Sequence, residues 1–388
     1  MHCTFNFRPV GQGGFFTAYF KKNNEQVLNM VYDCGTVSAG PHLMDQLGDA
    51  RYHLRQTGGK QTIDMLVLSH FDEDHISGVR ELLLNVKCRL LVIPFMTIFE
   101  RLSVYAKKDA KAEWHRQLLV NPGAFFRDND FDIDRIVMVD GNGEVFNDNF
   151  VAPILPLEPG SIPTGVPMPP RRLEDDVLTF DDQVVYMRLP FELEARDLGF
   201  FFKFYIQPFA DALLTAFRRE VIAGLPNINV QDLFEDKYRL AIKGIYHRVF
   251  GNINKTSLCL SIRRKSWSFI RYDDEPNMLF NYGPRQTGLL LTGDSFLKSP
   301  ANRRDFLAYY QQEIRDTVLF QIPHHGSAAN SELIRGSGLW DFGLFVMQHG
   351  HGRAKHPAPA VRRFLAAEGL NVHSVTQLQG QVWSYEIR

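Results

Sequence analysis

Apolar positions along the chain follow two periods. Residues 63–68, Ile-Asp-Met-Leu-Val-Leu, form a short apolar run that predicts a buried strand. Ile76, Val79, Leu82, Leu83 and Val86 then recur at helical spacing, and residues 90–93 return to strand character before Pro94 stops them. Strand, helix, strand is the crossover unit of a layered α/β fold. Upstream, residues 4–7 alternate weakly and residues 15–21 are aromatic and β-prone. Residues 27–32 predict a strand ending at Asp33-Cys34-Gly35.

Residues 96–250 break this rhythm. Pro153, Pro156, Pro159, Pro163, Pro167, Pro169 and Pro170 make stiff joints, and residues 128–134 are acidic. Two amphipathic helices follow, one carrying Phe209, Leu213, Phe217 and Val221, the other Phe234, Tyr238, Ile242, Ile245 and Val249. From 254 strands return: 257–263, 288–291 into Thr292-Gly293-Asp294, 317–322 into Pro323-His324-His325-Gly326-Ser327, and 344–348 into His349. A helix over 360–368 closes at Gly369, and two strands end the chain. The pattern divides the chain into 1–95, an inserted subdomain over 96–250, and 251–388.

The 388 residues are 45% hydrophobic and 22% charged, which excludes a collagen, a coiled coil and a long disordered tail. No run approaches the roughly 18 apolar residues of a membrane span. No basic segment precedes an apolar run at the start, so a secretory signal is not expected and the cytoplasm is the expected location. Cys3, Cys34, Cys88 and Cys259 lie far apart, predicting buried reduced thiols rather than a disulfide framework or zinc finger. Charge is uneven: residues 201–388 hold 23 Lys and Arg against 16 Asp and Glu, while the net charge of the whole is −1. A basic half can attract a polyanion.

The sharpest chemistry is Ser69-His70-Phe71-Asp72-Glu73-Asp74-His75. A buried strand ends, and His70, Asp72, Asp74 and His75 follow within six residues. Such side chains suit divalent cations. Asp294, His324, His325 and Asp33 likewise follow apolar strands, where a carboxylate is costly unless compensated. Together, His-x-Asp-x-Asp-His, the later Leu-Leu-Thr-Gly-Asp and His-His-Gly-Ser resemble the metallo-β-lactamase superfamily of two-metal hydrolases. Within it, the chain more closely resembles the soluble hydrolase domain of ComEC-type competence proteins. That domain is also similar at residues 10–13, 33–35 and 254–258, at His356-Pro357, and at the hairpin between Thr376 and Gly380.

The resemblance covers roughly 1–95 and 251–388. It implies an αββα sandwich with a large mixed insertion and two divalent ions, Mn²⁺ or Zn²⁺ with Mg²⁺ as an alternative. By the same resemblance His70 and Asp72 match ligands of the first ion, Asp74 and His75 of the second. Asp294 matches the bridging carboxylate, and His325 or His324 the last histidine. Asp33 is expected to support the site, with Asn254 and Ser257 nearby, and His356 to act as proton donor or phosphate binder. Asp72 stands where many members have histidine, and one further histidine ligand has no clear match. The implied activity is phosphodiester hydrolysis by a hydroxide held between the ions, on nucleic acid or on a small nucleotide or ester under a lid. A third expectation is a partner-binding subunit, using 96–250 as a protein interface, with the aromatic run over residues 200–205 as a groove or as core. No membrane partner is expected.

Overall fold

The structure, a computed structural model, describes residues 1–107, 112–141, 154–158, 161–162, 178–207, 211–250, 257–264, 270–272, 288–330, 343–353, 355–378 and 382–387. Two β-sheets pack face to face, and helices cover both outer faces. The first sheet runs, in order, Val184–Arg188, Ile133–Asp140, Val86–Pro94, Met65–Val67, Glu25–Cys34, Phe15–Lys22, His2–Phe7, Trp383–Ile387 and Ile270–Tyr272. The second runs Val372–Val375, Leu344–Gln348, Thr317–Gln321, Gly288–Leu291, Leu258–Arg264, Phe200–Ile206, Glu192–Ala195 and Ile154–Pro156. This is an αββα sandwich, the architecture that the motifs imply.

Three cores hold the layers. Between the sheets lie Phe5, Phe7, Phe16, Met30, Met65, Val92, Phe202, Phe204, Leu260, Leu291, Leu319 and Val346, all buried. Outside the first sheet, Leu66, Leu91 and Ile136 meet the helices at 98–107, 113–120, 211–224 and 236–250. Outside the second, Leu290, Phe320 and Phe345 pack under Phe306, Tyr310, Val361 and Leu365. Strands buried on both faces read as continuous apolar runs, which is why 63–68, 200–206 and 288–291 stand out in the sequence.

The stretch expected to be an inserted subdomain is divided among these layers. Ile133–Asp140 and Val184–Arg188 extend the first sheet, while Ile154–Pro156, Glu192–Ala195 and Phe200–Ile206 extend the second. Its helices join the outer layer over the first sheet. Phe200, Phe201, Phe202, Phe204 and Tyr205 are buried, so the aromatic run is core and not a partner groove. Of the proline joints only Pro156 falls among the described residues. The two expected helices form as Asp211–Gly224 and Asp236–Phe250, the second preceded by a single turn at Asp232–Phe234. Phe209 lies outside the described residues.

The helix expected after the motif is shorter than its periodicity suggests. It forms two pieces, Glu73–Ile76 and Val79–Leu83, and Val86 already opens the next strand. Gly78 marks the break, where a Cβ would sit 2.7 Å from the Cys34 carbonyl oxygen.

Candidate metal centre

Parallel pairing places the chemistry at one edge of the sandwich. Glu25–Cys34 pairs parallel with Met65–Val67, and Gly288–Leu291 with Thr317–Gln321, which pairs parallel with Leu344–Gln348. Asp33, the 69–75 loop, Asp294, His324, His325 and His349 therefore all lie at carboxyl ends of strands, where open α/β sheets present ligand sites. The sheets are tied together here. Leu258 N donates to Ser69 O at 2.7 Å, and Gln348 Nε2 donates to Phe15 O at 2.8 Å.

Among the described residues two groups of metal-competent atoms form. Asp74, His75, Asp294 and His325 each place one ligand atom within 4.8 Å of the others, and so do His70, Asp72 and Asp74. Asp294 lies between the histidines: Oδ1 is 3.3 Å from His75 Nε2 and 3.4 Å from His325 Nε2, and Oδ2 is 3.9 Å from His70 Nε2. Asp74 Oδ2 is 3.6 Å from His325 Nε2.

Three histidines are locked in the same tautomer. His75 Nδ1 donates to Asp33 Oδ2 at 2.7 Å, His325 Nδ1 to the Gln348 carbonyl at 2.9 Å, and His70 Nδ1 to Ser69 Oγ at 2.9 Å. Ser69 Oγ donates in turn to Asp33 Oδ2 at 2.7 Å. Each Nε2 therefore turns a lone pair into the cluster, the orientation outer hydrogen bonds impose on ligating histidines. His70 Nε2, His75 Nε2, His325 Nε2 and Asp294 Oδ1 are buried with no well-formed hydrogen bond. Four such atoms facing one another would be costly if nothing bound there. The donor set fits a divalent cation.

Electrostatics agree with that fit. Burial opposes the charge on Asp294, but the imidazoles of His324, His325 and His75 outweigh it and hold the carboxyl well below the usual carboxylate range. Burial likewise opposes protonation of His75, yet Asp33 and Asp294 raise it well above the ordinary imidazole value. His70 is pushed down to about 4 by burial and then by His75. The carboxylates around His75 thus favour positive charge at that point, which a bound cation would supply.

The backbone is strained where it presents these groups. Asp33, His324 and His325 have φ of 56°, 49° and 53°. This left-handed region costs a residue with a side chain about 1–2 kcal/mol, and such strain clusters at functional sites. Gly293 also lies there, at φ 50°, and a Cβ on it would meet Ser257 Oγ at 2.4 Å.

The remaining expected residues fall into place unevenly. Ser257 Oγ accepts from the Asp294 backbone N–H at 3.0 Å and so fixes that turn. Asn254 lies outside the described residues. His324 stands outside both groups. Its Nδ1 is 2.7 Å from Asn330 Nδ2, and its Nε2 is 3.5 Å from Asp294 Oδ2. With Nδ1 accepting from the amide, Nε2 carries the proton. His356 stacks on His324 with ring centres 5.2 Å apart and lies 6.4 Å from the His325 ring. Burial, then His324 and His325, push it down to about 4. Asp72 opens the helix Glu73–Ile76, but its side chain makes no capping bond. Its Oδ2 is 3.9 Å from His70 Nε2 and 3.5 Å from Lys107 Nζ.

Several residues at the site had no signal in the sequence. Gln348 and Asn330 act through positions set only by the fold. His115, a lone histidine with no assigned role, donates from Nε2 to the Phe71 carbonyl at 2.7 Å, bracing the motif loop. Lys107 comes from a helix far from any motif. Ser69 alone had a visible cue, its place beside His70.

No protein-family model and no curated protein matches the chain. Among solved structures the chain is similar to the metallo-beta-lactamase fold protein YhfI from Bacillus subtilis. The identity is 10% and the TM-score 0.39, over 99% of this chain and 100% of that one. That likeness is too slight to carry any part of the site's interpretation. Among the described residues no helix is long and apolar enough to cross a membrane.

Proposed function

We propose that the protein is a metal-dependent hydrolase of phosphodiesters, with nucleic acid as the substrate class. The observation that carries the reading is the convergence of ligand atoms from Asp74, His75, Asp294 and His325, all but Asp74 buried, with the Nδ1 atoms of both histidines already hydrogen-bonded. Divalent ions, Mn²⁺ or Zn²⁺, supply Lewis-acid activation of water and neutralise charge in the transition state when bound. His70, Asp72 and Asp74 would hold a second ion beside the first. Asp33 and Ser69 keep His75 and His70 in the ligating tautomer, and the Gln348 carbonyl does so for His325. Three imidazoles together with three carboxylates in the cluster suit Mn²⁺ as well as Zn²⁺.

His324 and His356 flank the cluster without entering it. His324 directs its Nε2–H toward Asp294, and His356, neutral near pH 7, is positioned to hydrogen-bond a phosphate oxygen or the leaving group. Arg353 and Lys355 are exposed on the loop that carries His356. Together with the basic second half of the chain they favour an anionic substrate. The helices of 96–250 wall one side of the site through Lys107 and His115, which supports their acting as a lid that sets substrate class.

The test is turnover of bis-p-nitrophenyl phosphate and of labelled single- and double-stranded DNA, with Mn²⁺ or Zn²⁺ supplied. Cleavage of DNA and of the small diester by wild type, lost in Asp74→Ala, is the expected result. Turnover confined to carboxyl esters in the metal-loaded protein would overturn the phosphodiester reading.

A further inference from the structure

The two groups are unequal. Asp74, His75, Asp294 and His325 offer two imidazoles and two carboxylates to one point. Among the described residues the neighbouring group has His70 and Asp72, and shares Asp74. Residues 251–256, just before Ser257, read Gly-Asn-Ile-Asn-Lys-Thr and contain no histidine, cysteine or acid. The poorer group has an ammonium beside it instead: Lys107 Nζ lies 3.5 Å from Asp72 Oδ2.

We propose that Lys107 takes the place of a second firmly held cation, so that the protein holds one divalent ion tightly and a second only weakly. The inference rests on the metal-hydrolase reading above and deepens it. Charge supports it first. Among the described residues, Asp72, Asp74 and Asp294 face the cluster with three negative charges, with Asp33 behind His75, and one divalent ion with one ammonium supplies three positive. A second divalent ion would leave a net positive excess in a buried site.

Lys107 is also held there. Its side chain is 18% exposed and that of Asp72 6%, so both are largely out of water, where an ammonium needs a close carboxylate. It sits in the last turn of the helix Ile98–Lys107, the end that favours a cation. That helix is anchored by the fully buried Arg101, whose guanidinium donates to the Leu119 and Val120 carbonyls at 2.8 and 3.1 Å. Tyr105 adds a bond from its hydroxyl to Asp236 at 3.1 Å. A divalent ion at Asp72 would meet this ammonium a few ångström away. In a partly buried setting that repulsion weakens binding by at least about tenfold.

The test uses full-length protein stripped of metal and titrated with MnCl₂. Bound ions are counted by native mass spectrometry, and the Mn²⁺ signal is followed by electron paramagnetic resonance. Wild type and Lys107→Arg are expected to saturate at one ion with the hyperfine sextet of isolated Mn²⁺, the second ion binding at least about tenfold more weakly. Lys107→Met is expected to tighten that second ion and give the exchange-coupled spectrum of a pair. Two ions of equal affinity in wild type would overturn the proposal and leave the metal-hydrolase reading intact. So would a Lys107→Met protein that still takes one ion. Should Lys107→Met fail to fold, the wild-type stoichiometry alone decides. No bound ion in any variant would instead overturn the metal-hydrolase reading.

Discussion

Asp33→Asn changes one atom at a residue that only holds another in place. Asp33 Oδ1 accepts from the Ser69 backbone N–H at 2.7 Å, while Oδ2 accepts from Ser69 Oγ and from His75 Nδ1, each at 2.7 Å. Asparagine tolerates the left-handed backbone at this position about as well as aspartate, so the strand end should keep its course. Its Oδ1 can retain the Ser69 N–H bond. Its amide then faces Ser69 Oγ and His75 Nδ1 with donors. His75 must give up the Nδ1 proton and carry one on Nε2, which points at Asp294 Oδ1 only 3.3 Å away. A proton on Nε2 removes the lone pair that a cation needs. Hydrogen bonds to a charged group are worth about 1.5–3 kcal/mol, and loss of such an outer partner typically costs about 10–100-fold in metal affinity. Competition with a fluorescent chelator measures that affinity, and far-UV circular dichroism checks the fold. A drop in Mn²⁺ or Zn²⁺ affinity within that range, with native ellipticity, is expected. Unchanged affinity in a folded Asp33→Asn protein would refute the tautomer argument.

Other changes follow from the same geometry. Asp294→Asn keeps the shape but removes the charge among four imidazoles, and steady-state kinetics on a phosphodiester should show a loss of at least about a hundredfold; wild-type turnover would reduce Asp294 to an ordinary turn residue. Gly293→Ala would push a Cβ to 2.4 Å from Ser257 Oγ at a positive φ, and urea unfolding should record a loss of about 1–3 kcal/mol. Cys3, Cys34, Cys88 and Cys259 are all buried, and burial pushes the Cys259 thiol up to about 12. Ellman's reagent at pH 8 should label none of them until denaturant is added. Because these thiols have raised folded values, their contribution to stability is full below the unfolded value of about 8.5 and declines as pH rises above it. Urea midpoints at pH 8 and pH 10 measure that decline, and a higher midpoint at pH 10 would contradict it.

The cluster was legible because its residues are contiguous or follow apolar strands. Four candidates lie within residues 70–75, and Asp33, Asp294 and His325 each end a buried run, so local pattern marked them and the family resemblance implied their meeting at one edge. What escaped is what only packing decides. His324 and His325 are adjacent and chemically identical, and the strained turn aims one imidazole into the group and the other beside Asn330 and His356. Lys107 and His115 sit on helices whose apolar stripes gave no hint of contact with the 69–75 loop. The stretch 96–250 read as separate because its prolines and acidic run interrupt the α/β rhythm. Its strands pair by long-range register, Phe200–Ile206 against Leu258–Arg264 for example, and no period within one segment reveals such a partner. Val86 likewise continued a helical spacing but opens a strand, since Gly78 and the Asn85 turn at φ 58° end the helix first.

The central claim is that Asp74, His75, Asp294 and His325 hold a divalent ion. Crystals of the protein grown with Mn²⁺ or Zn²⁺, measured at the absorption edge of that metal, test it directly. The account predicts an anomalous peak within bonding distance of Asp74, Asp294 and the Nε2 atoms of His75 and His325. A map without a peak there, or with its strongest peak on other residues, would contradict it.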